Sequence, residues 1–333
     1  MENFQLIITA QSSLFWDPST RLLWLVTMAL LGSTLFLFIY TLGLRYLQIR
    51  KQRQTERFER TLLPALFQYL DGDIGRRELE KLTGTDKLKC KVFKENVIEL
   101  LKNLEGDEAV KLRSALVIKP IYDYHLQLLQ SNDPELKIKA CSYFRYMDLN
   151  VPFIIRLLKK EVLSDNTFLA FSAASALMGS PDLATRSYAL GSLAKNRKLS
   201  EMAIMEMFYR FRNEDLNQEE EESDALMHIV SDPEITPENR AVLIRCAAES
   251  NFCHLADTFY QWLRSKEDMW NNPVVLTALI DSQRIFLNLD AADYIVRFLY
   301  HSDKKIALAA ENSVGELTSR EFASAIGHPI VLN

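Results

Sequence analysis

Glycine and proline are scarce in this chain, ten of each in 333 residues. That is about 3% apiece, against usual shares of roughly 7% and 5%. So few breakers exclude an all-β sandwich or barrel, which needs a turn signal every 8–12 residues or so. Cysteine is sparse as well: Cys90, Cys141, Cys246 and Cys253 form no C-x-x-C and lie inside apolar helical patterns. This spacing excludes a secreted disulfide framework and predicts reduced core thiols in a cytosolic compartment. The five histidines (His125, His228, His254, His301 and His328) are scattered without metal-ligand spacing. The chain has no G-x-x-x-x-G-K loop, G-x-G-x-x-G turn, G-x-S-x-G elbow or H-E-x-x-H helix. No catalytic, cofactor or metal residue is therefore predicted.

Hydrophobic residues make up 48% of the chain and charged residues 25%, which excludes a disordered polar polymer. The net charge of −5 is unevenly spread. Residues 45–60 carry Arg45, Arg50, Lys51, Arg53, Arg57 and Arg60 against Glu56 and Glu59, whereas residues 61–333 hold 32 basic against 40 acidic residues. A body that acidic repels a phosphate backbone, so nucleic acid is not an expected partner.

Leu22 to Leu44 forms the one long run without a charge, LLWLVTMALLGSTLFLFIYTLGL. As a helix it is roughly 34 Å long, against about 30 Å of bilayer hydrocarbon. Thirteen of its 23 residues are Leu, Ile, Phe or Val, and these favour insertion by on the order of 4–8 kcal/mol. The start Met1-Glu2-Asn3 is not basic and the run is too long for a signal peptide, so it is expected to persist as a membrane span. One basic residue precedes it (Arg21) and six follow within 16 positions. This asymmetry places the first 21 residues outside and the rest in the cytosol. Trp16, Trp24, Tyr40 and Tyr46 suit interfacial anchoring, and Ala29-x-x-x-Ser33 is a small-residue pair that lets another helix approach. The expected organisation is a short outer N-terminus (1–21), a transmembrane helix (22–44), a basic juxtamembrane linker or helix (45–60) and a cytosolic body (61–333) in a cell membrane.

The body reads as short amphipathic helices. In Lys87–Leu104 apolar residues recur at helical spacing, with Thr85 as the expected cap and Gly106 as the stop. Five starts pair a capping residue with proline: Asp133-Pro134, Ser180-Pro181, Asp232-Pro233, Thr236-Pro237 and Asn272-Pro273. From the first proline the intervals are 47, 52 and 40 residues, lengths that suit two helices plus turns. Three segments share a finer pattern at +3, +7 and +11 from a cap. After Asp133 come Leu136, Ala140 and Phe144; after Asn166 come Leu169, Ala173 and Leu177; after Asp303 come Ile306, Ala310 and Val314. These offsets lie on one helix face, and the central alanine lets a neighbouring helix close in.

With D-P-E-L-K at 133–137, Ala173 through Gly179 and Ala309 through Gly315, the body resembles the HEAT-repeat family. The likeness is carried most fully over 130–195 and 300–317. It implies an all-α chain in which a single transmembrane helix precedes an α-solenoid of stacked helical hairpins. The family's motif is structural, so it implies no catalytic residue.

Two smaller signals complete the reading. Asp71-Gly72-Asp73-Ile74-Gly75 lacks the later ligands of a calcium loop and reads as a plain turn. Glu219, Glu220, Glu221 and Glu222 sit in a cation-free acidic stretch that is either the solvated first turn of a helix or a docking patch for a basic partner. The function expected is a membrane-anchored scaffold or adaptor, without enzyme activity, small-molecule substrate or cofactor, whose partners are other membrane proteins. Anchored proteins of this kind suggest an accessory of an envelope or polysaccharide (glycosyltransferase) assembly. The alternatives are a HEAT-like enzyme or enzyme accessory of the lyase type, and a lipid-engaged structural protein acting through Arg45–Arg60.

Overall fold

The computed structural model describes residues 18–325 apart from 105, 148, 197–199 and 213–218, and side chains within 22–319. Every regular element among the described residues is helical. The elements are α1 (Pro18–Asp71), α2 (Arg76–Thr83), α3 (Lys87–Leu101), α4 (Gly106–Leu116), α5 (Lys119–Leu129), α6 (Pro134–Phe144), α7 (Pro152–Val162), α8 (Thr167–Leu177) and α9 (Leu183–Asn196). They continue with α10 (Glu201–Phe211), α11 (Glu219–Val230), α12 (Pro237–Glu249), α13 (Ala256–Arg264), α14 (Asp268–Asn271), α15 (Pro273–Ile285), α16 (Ala292–Ile295) and α17 (Lys304–Ala325). The chain divides into two compact units, residues 1–96 and 97–333.

The first unit is built on α1, which runs unbroken through the apolar run, the basic stretch and the first helix of the body. Its last turns bury Phe58, Leu62, Leu66 and Leu70, four residues apart, together with Leu79 of α2 and Val92 and Phe93 of α3. The Asp71–Gly75 segment is a plain turn, closed by the Asp73 amide donating to the Gln68 carbonyl at 2.8 Å. Asp86, rather than Thr85, caps α3: its Oδ1 accepts from the amides of Leu88 and Lys89 at 2.7 and 3.2 Å. Gly106 opens the next helix at φ +68° instead of closing this one.

In the second unit, contacts follow a simple rule. Helices pack on their chain neighbours (α5 on α6, α7 on α8, α8 on α9) and on the next but one (α6 on α8, α7 on α9, α9 on α11, α10 on α12), with α12 on α15 and α15 on α17 beyond. Small residues allow this. In α8 Ala170, Ala173, Ala174 and Ala176 are all buried, so three neighbouring helices reach its backbone where larger residues would hold them off. The patterned positions behave mostly as expected: Ala140, Phe144, Leu169, Ala173, Leu177, Ile306 and Ala310 are buried. Leu136 and Val314 are only half-buried.

Three of the five cap–proline starts hold. Asp133, Thr236 and Asn272 accept backbone amide hydrogen bonds at the heads of α6, α12 and α15. The other two require correction. At Ser180-Pro181 the cap moves to Asp182, whose carboxylate takes the Thr185 amide at 3.0 Å and its hydroxyl at 2.6 Å. Asp232-Pro233 starts no helix; Asp232 accepts from the Glu234 amide and closes a turn ahead of α12. Gly179 ends α8 against the preceding loop, and a Cβ there would lie 2.9 Å from the Met147 carbonyl oxygen. Replacing Gly179 with Ala is therefore expected to lower stability by about 1–3 kcal/mol. Gly191→Ala, where the added atom meets only Ile229 at 3.8 Å inside a helix, should be neutral or stabilising by about 1 kcal/mol. Denaturant midpoints of the full chain in detergent compare the two.

Candidate functional site

The chemistry of this molecule is concentrated on surfaces. The first is α1. From Leu22 to Ile49 every residue is exposed, and the apolar window of the helix has a mean hydropathy of 2.3 with none of it buried. Its hydroxyls turn inward on the helix: Thr27 and Thr41 donate to the carbonyls of Leu23 and Leu37 at 2.7 Å, Ser33 and Thr34 to those of Leu30 and Leu31 at 2.8 and 2.9 Å. A helix whose serine and threonine hydroxyls are satisfied internally and whose side chains are exposed among the described residues is long and apolar enough to cross a bilayer. Arg45, Arg50, Lys51, Arg53, Arg57 and Arg60 follow it, all exposed, and none of them pairs with a carboxylate among the described residues.

The second surface is the acidic stretch, and here the reading as a four-residue docking patch is corrected. Glu220 and Glu221 are exposed, Glu219 pairs with Arg212 at 3.5 Å, and Glu222 is 1% exposed. Glu222 accepts from Arg186 Nη2 at 2.8 Å in the interior between α9 and α11. The same guanidinium donates through Nη1 to the carbonyls of Ser180 and Pro181 at 3.0 and 3.1 Å and lies 5.8 Å from the centre of the Phe211 ring. A carboxylate this enclosed is unavailable to any partner.

Arg186 belongs to a device of which the sequence reading held only the D-P-E-L-K start at 133–137. It stands four residues after its cap, Asp182, as Lys137 does after Asp133 and Arg240 after Thr236. Lys137 pairs with Glu161 at 2.7 Å. Arg240 donates to the carbonyls of Val230 and Asp232 at 2.9 and 2.8 Å and stacks on Trp270. Each cation thus ties the first turn of a helix to the chain beside it, Lys137 through a carboxylate and Arg186 and Arg240 through loop carbonyls that would otherwise lack a donor. The signal was present in the spacing, a capping residue with a basic residue at +4.

The third surface is an open groove of about 500 Å³ between α9 and α11, lined among others by Tyr188, Lys195, His228 and Asp232. These are residue types that do chemistry, but the carboxylate is already engaged: Lys195 binds Asp232 at 2.6 Å and Glu234 at 2.8 Å. The lysine's hydrogen bond holds the Asp232 carboxyl below its ordinary range. Of the cysteines, Cys141 and Cys246 are buried, with burial pushing each thiol up to about 12. Cys90 is half-buried and Cys253 exposed, which corrects the expectation of four core thiols. Cys246 and Cys253 are separated by the end of α12, where Asn251 takes φ +58°, and no metal-binding group occurs among the described residues. No family model and no curated protein matches this chain.

The Arg186–Glu222 pair generates the sharpest test of this region. Glu222→Gln strands a buried cation and should cost about 3–5 kcal/mol. Arg186→Met with Glu222→Leu removes both charges and should recover most of that, leaving about 1–3 kcal/mol for the orphaned carbonyls. A denaturation series on both single variants and the double variant measures this; a double-variant loss equal to the sum of the two single losses would mean that the pair is not coupled.

Proposed function

We propose that the chain is a single-pass membrane protein whose body, a HEAT-like α-solenoid, serves as a scaffold for other membrane proteins on the cytosolic side. The observation that carries this reading is the bare apolar surface of α1 between Leu22 and Leu44, continued without a break into a basic stretch. Exposed to water, that surface would drive aggregation; within a bilayer it is at its free-energy minimum. The basic flank sets the body on the cytosolic side.

The solenoid reading is supported by the alternation of neighbour and next-but-one packing in the second unit. It is further supported by the repeated device of a cap, often followed by proline, with a basic residue at +4. Stacked helix pairs of this kind present long open surfaces suited to protein contact. The groove between α9 and α11 is open in the same way and keeps its carboxylate in an ion pair. Anchoring then confines body and partner to one surface, which raises their effective concentration.

The test is extraction and topology together. The full chain should stay with the membrane through an alkaline carbonate wash, and added protease should digest residues beyond 60 only in inside-out vesicles. Crosslinking in mild detergent should then join the body repeatedly to the same membrane protein. Release by carbonate, or a body digested from the outer side, contradicts the proposal.

A further inference from the structure

The six basic residues after the span are not equivalent once the helix is laid out at 100° per residue. Tyr46, Arg50, Arg53, Arg57, Arg60, Pro64 and Phe67 follow one another at intervals of four and three, the spacing of a helix–helix seam. All seven are exposed. The seam avoids the face that buries Phe58 and Leu62, so it looks away from the core of its own unit. Arg45 and Lys51 fall outside it. The nearest acids on the same helix are engaged elsewhere, Glu56 by Gln52 at 3.0 Å and Glu59 by Asn96 at 3.4 Å. Four guanidiniums thus stand in a row, between two exposed aromatic rings, without a counter-charge among the described residues.

Distance separates two possible sources of that counter-charge. If Leu44 marks the end of the hydrocarbon, Arg50 stands about 9 Å beyond it, Arg53 about 14 Å, Arg57 about 20 Å and Arg60 about 24 Å. Headgroups occupy only the first ~5–8 Å, and their field fades over a Debye length of about 8 Å. Lipid phosphates therefore serve Arg45, Arg50 and Lys51 and do not reach Arg57 and Arg60. A second copy of the chain is excluded as well, because two copies inserted in the same orientation would set arginine against arginine along the whole seam.

We propose that the Tyr46–Phe67 seam of α1 docks an acidic helix of a different membrane protein. The partner would carry Asp or Glu at successive three–four positions just inside its own span, and an apolar group to cover Phe67. The inference rests on α1 being a span and on the body lying beside the membrane. Seam charges of this kind choose the partner, since only a helix of opposite charge pairs without repulsion. Aromatic rings at both ends supply the apolar contact that arginine alone lacks.

The test uses the full chain in phosphatidylcholine nanodiscs and two fluorescent alanine-based peptides of equal composition. One carries four glutamates along a single face at three–four spacing; the other has them spread around the helix. The single-face peptide should bind about tenfold tighter, or about 1.4 kcal/mol. Arg57→Gln with Arg60→Gln should abolish that preference, whereas the charge-matched pair Arg45→Gln with Lys51→Gln should change affinity less than about twofold. The preference should survive replacement of about a third of the lipid by phosphatidylglycerol, because those phosphates lie out of range of Arg57 and Arg60. Equal binding of the two peptides, equal losses in the two double variants, or displacement by the anionic lipid would each overturn the docking seam. Failure of the chain to remain anchored in carbonate would instead overturn the membrane reading on which it rests.

Discussion

The first constraint on this molecule is the apolar stretch 22–44 of α1, which no other described residue covers. The side chains from Leu22 to Leu44 are exposed among the described residues, and Phe58 is the first residue of α1 to be buried. Burying side chains of this kind is worth on the order of 25 cal/mol per Å², so leaving them bare in water is not a stable option. A bilayer resolves the deficit. On the proposed reading the basic stretch that continues the same helix then meets the membrane surface.

The body solves a different problem, that of stacking many short helices with few glycines and prolines to shape the turns. Its solution is electrostatic as much as apolar. Asp133, Asp182 and Thr236 satisfy the first amides of their helices, and Lys137, Arg186 and Arg240 reach from the same turn to a neighbouring carboxylate or to loop carbonyls. Two of these three cations are almost fully enclosed. Enclosed charges seldom add much net stability, but they penalise wrong arrangements heavily, because a displaced partner leaves a bare ion inside. Such groups suit a body of many short packed helices, where they fix which turn meets which neighbour.

Local features were the most legible in the sequence. The caps at Asp133, Asn166 and Asn272 and the alanines at 140, 173 and 310 could be read because each acts within a single turn or on a single helix face. Ser180-Pro181 and Asp232-Pro233 misled because the residue that caps the helix comes later, Asp182 in the first case and Thr236 in the second, while Asp232 accepts from the Glu234 amide in a turn. Glu222 was read with its acidic neighbours because its partner, Arg186, lies 36 positions away. Periodicity detects a face but not what meets it. The groove between α9 and α11 was out of reach for the same reason, its lining being drawn from two helices and the turn after them. The arginine seam depended on one fact the sequence left open, that the basic stretch is helical and continuous with the span.

The central claim is that residues 22–44 of α1 lie in hydrocarbon while the helix emerges into water at Arg45. Hydrogen–deuterium exchange on the full chain in liposomes tests this most directly, because a lone helix in water exchanges quickly whereas one in a bilayer does not. The account predicts amides protected for hours up to Leu44, then a sharp fall to rapid exchange between Tyr46 and Arg57, before protection returns where Leu62 enters the core. Equal, rapid exchange on both sides of Leu44 would contradict it.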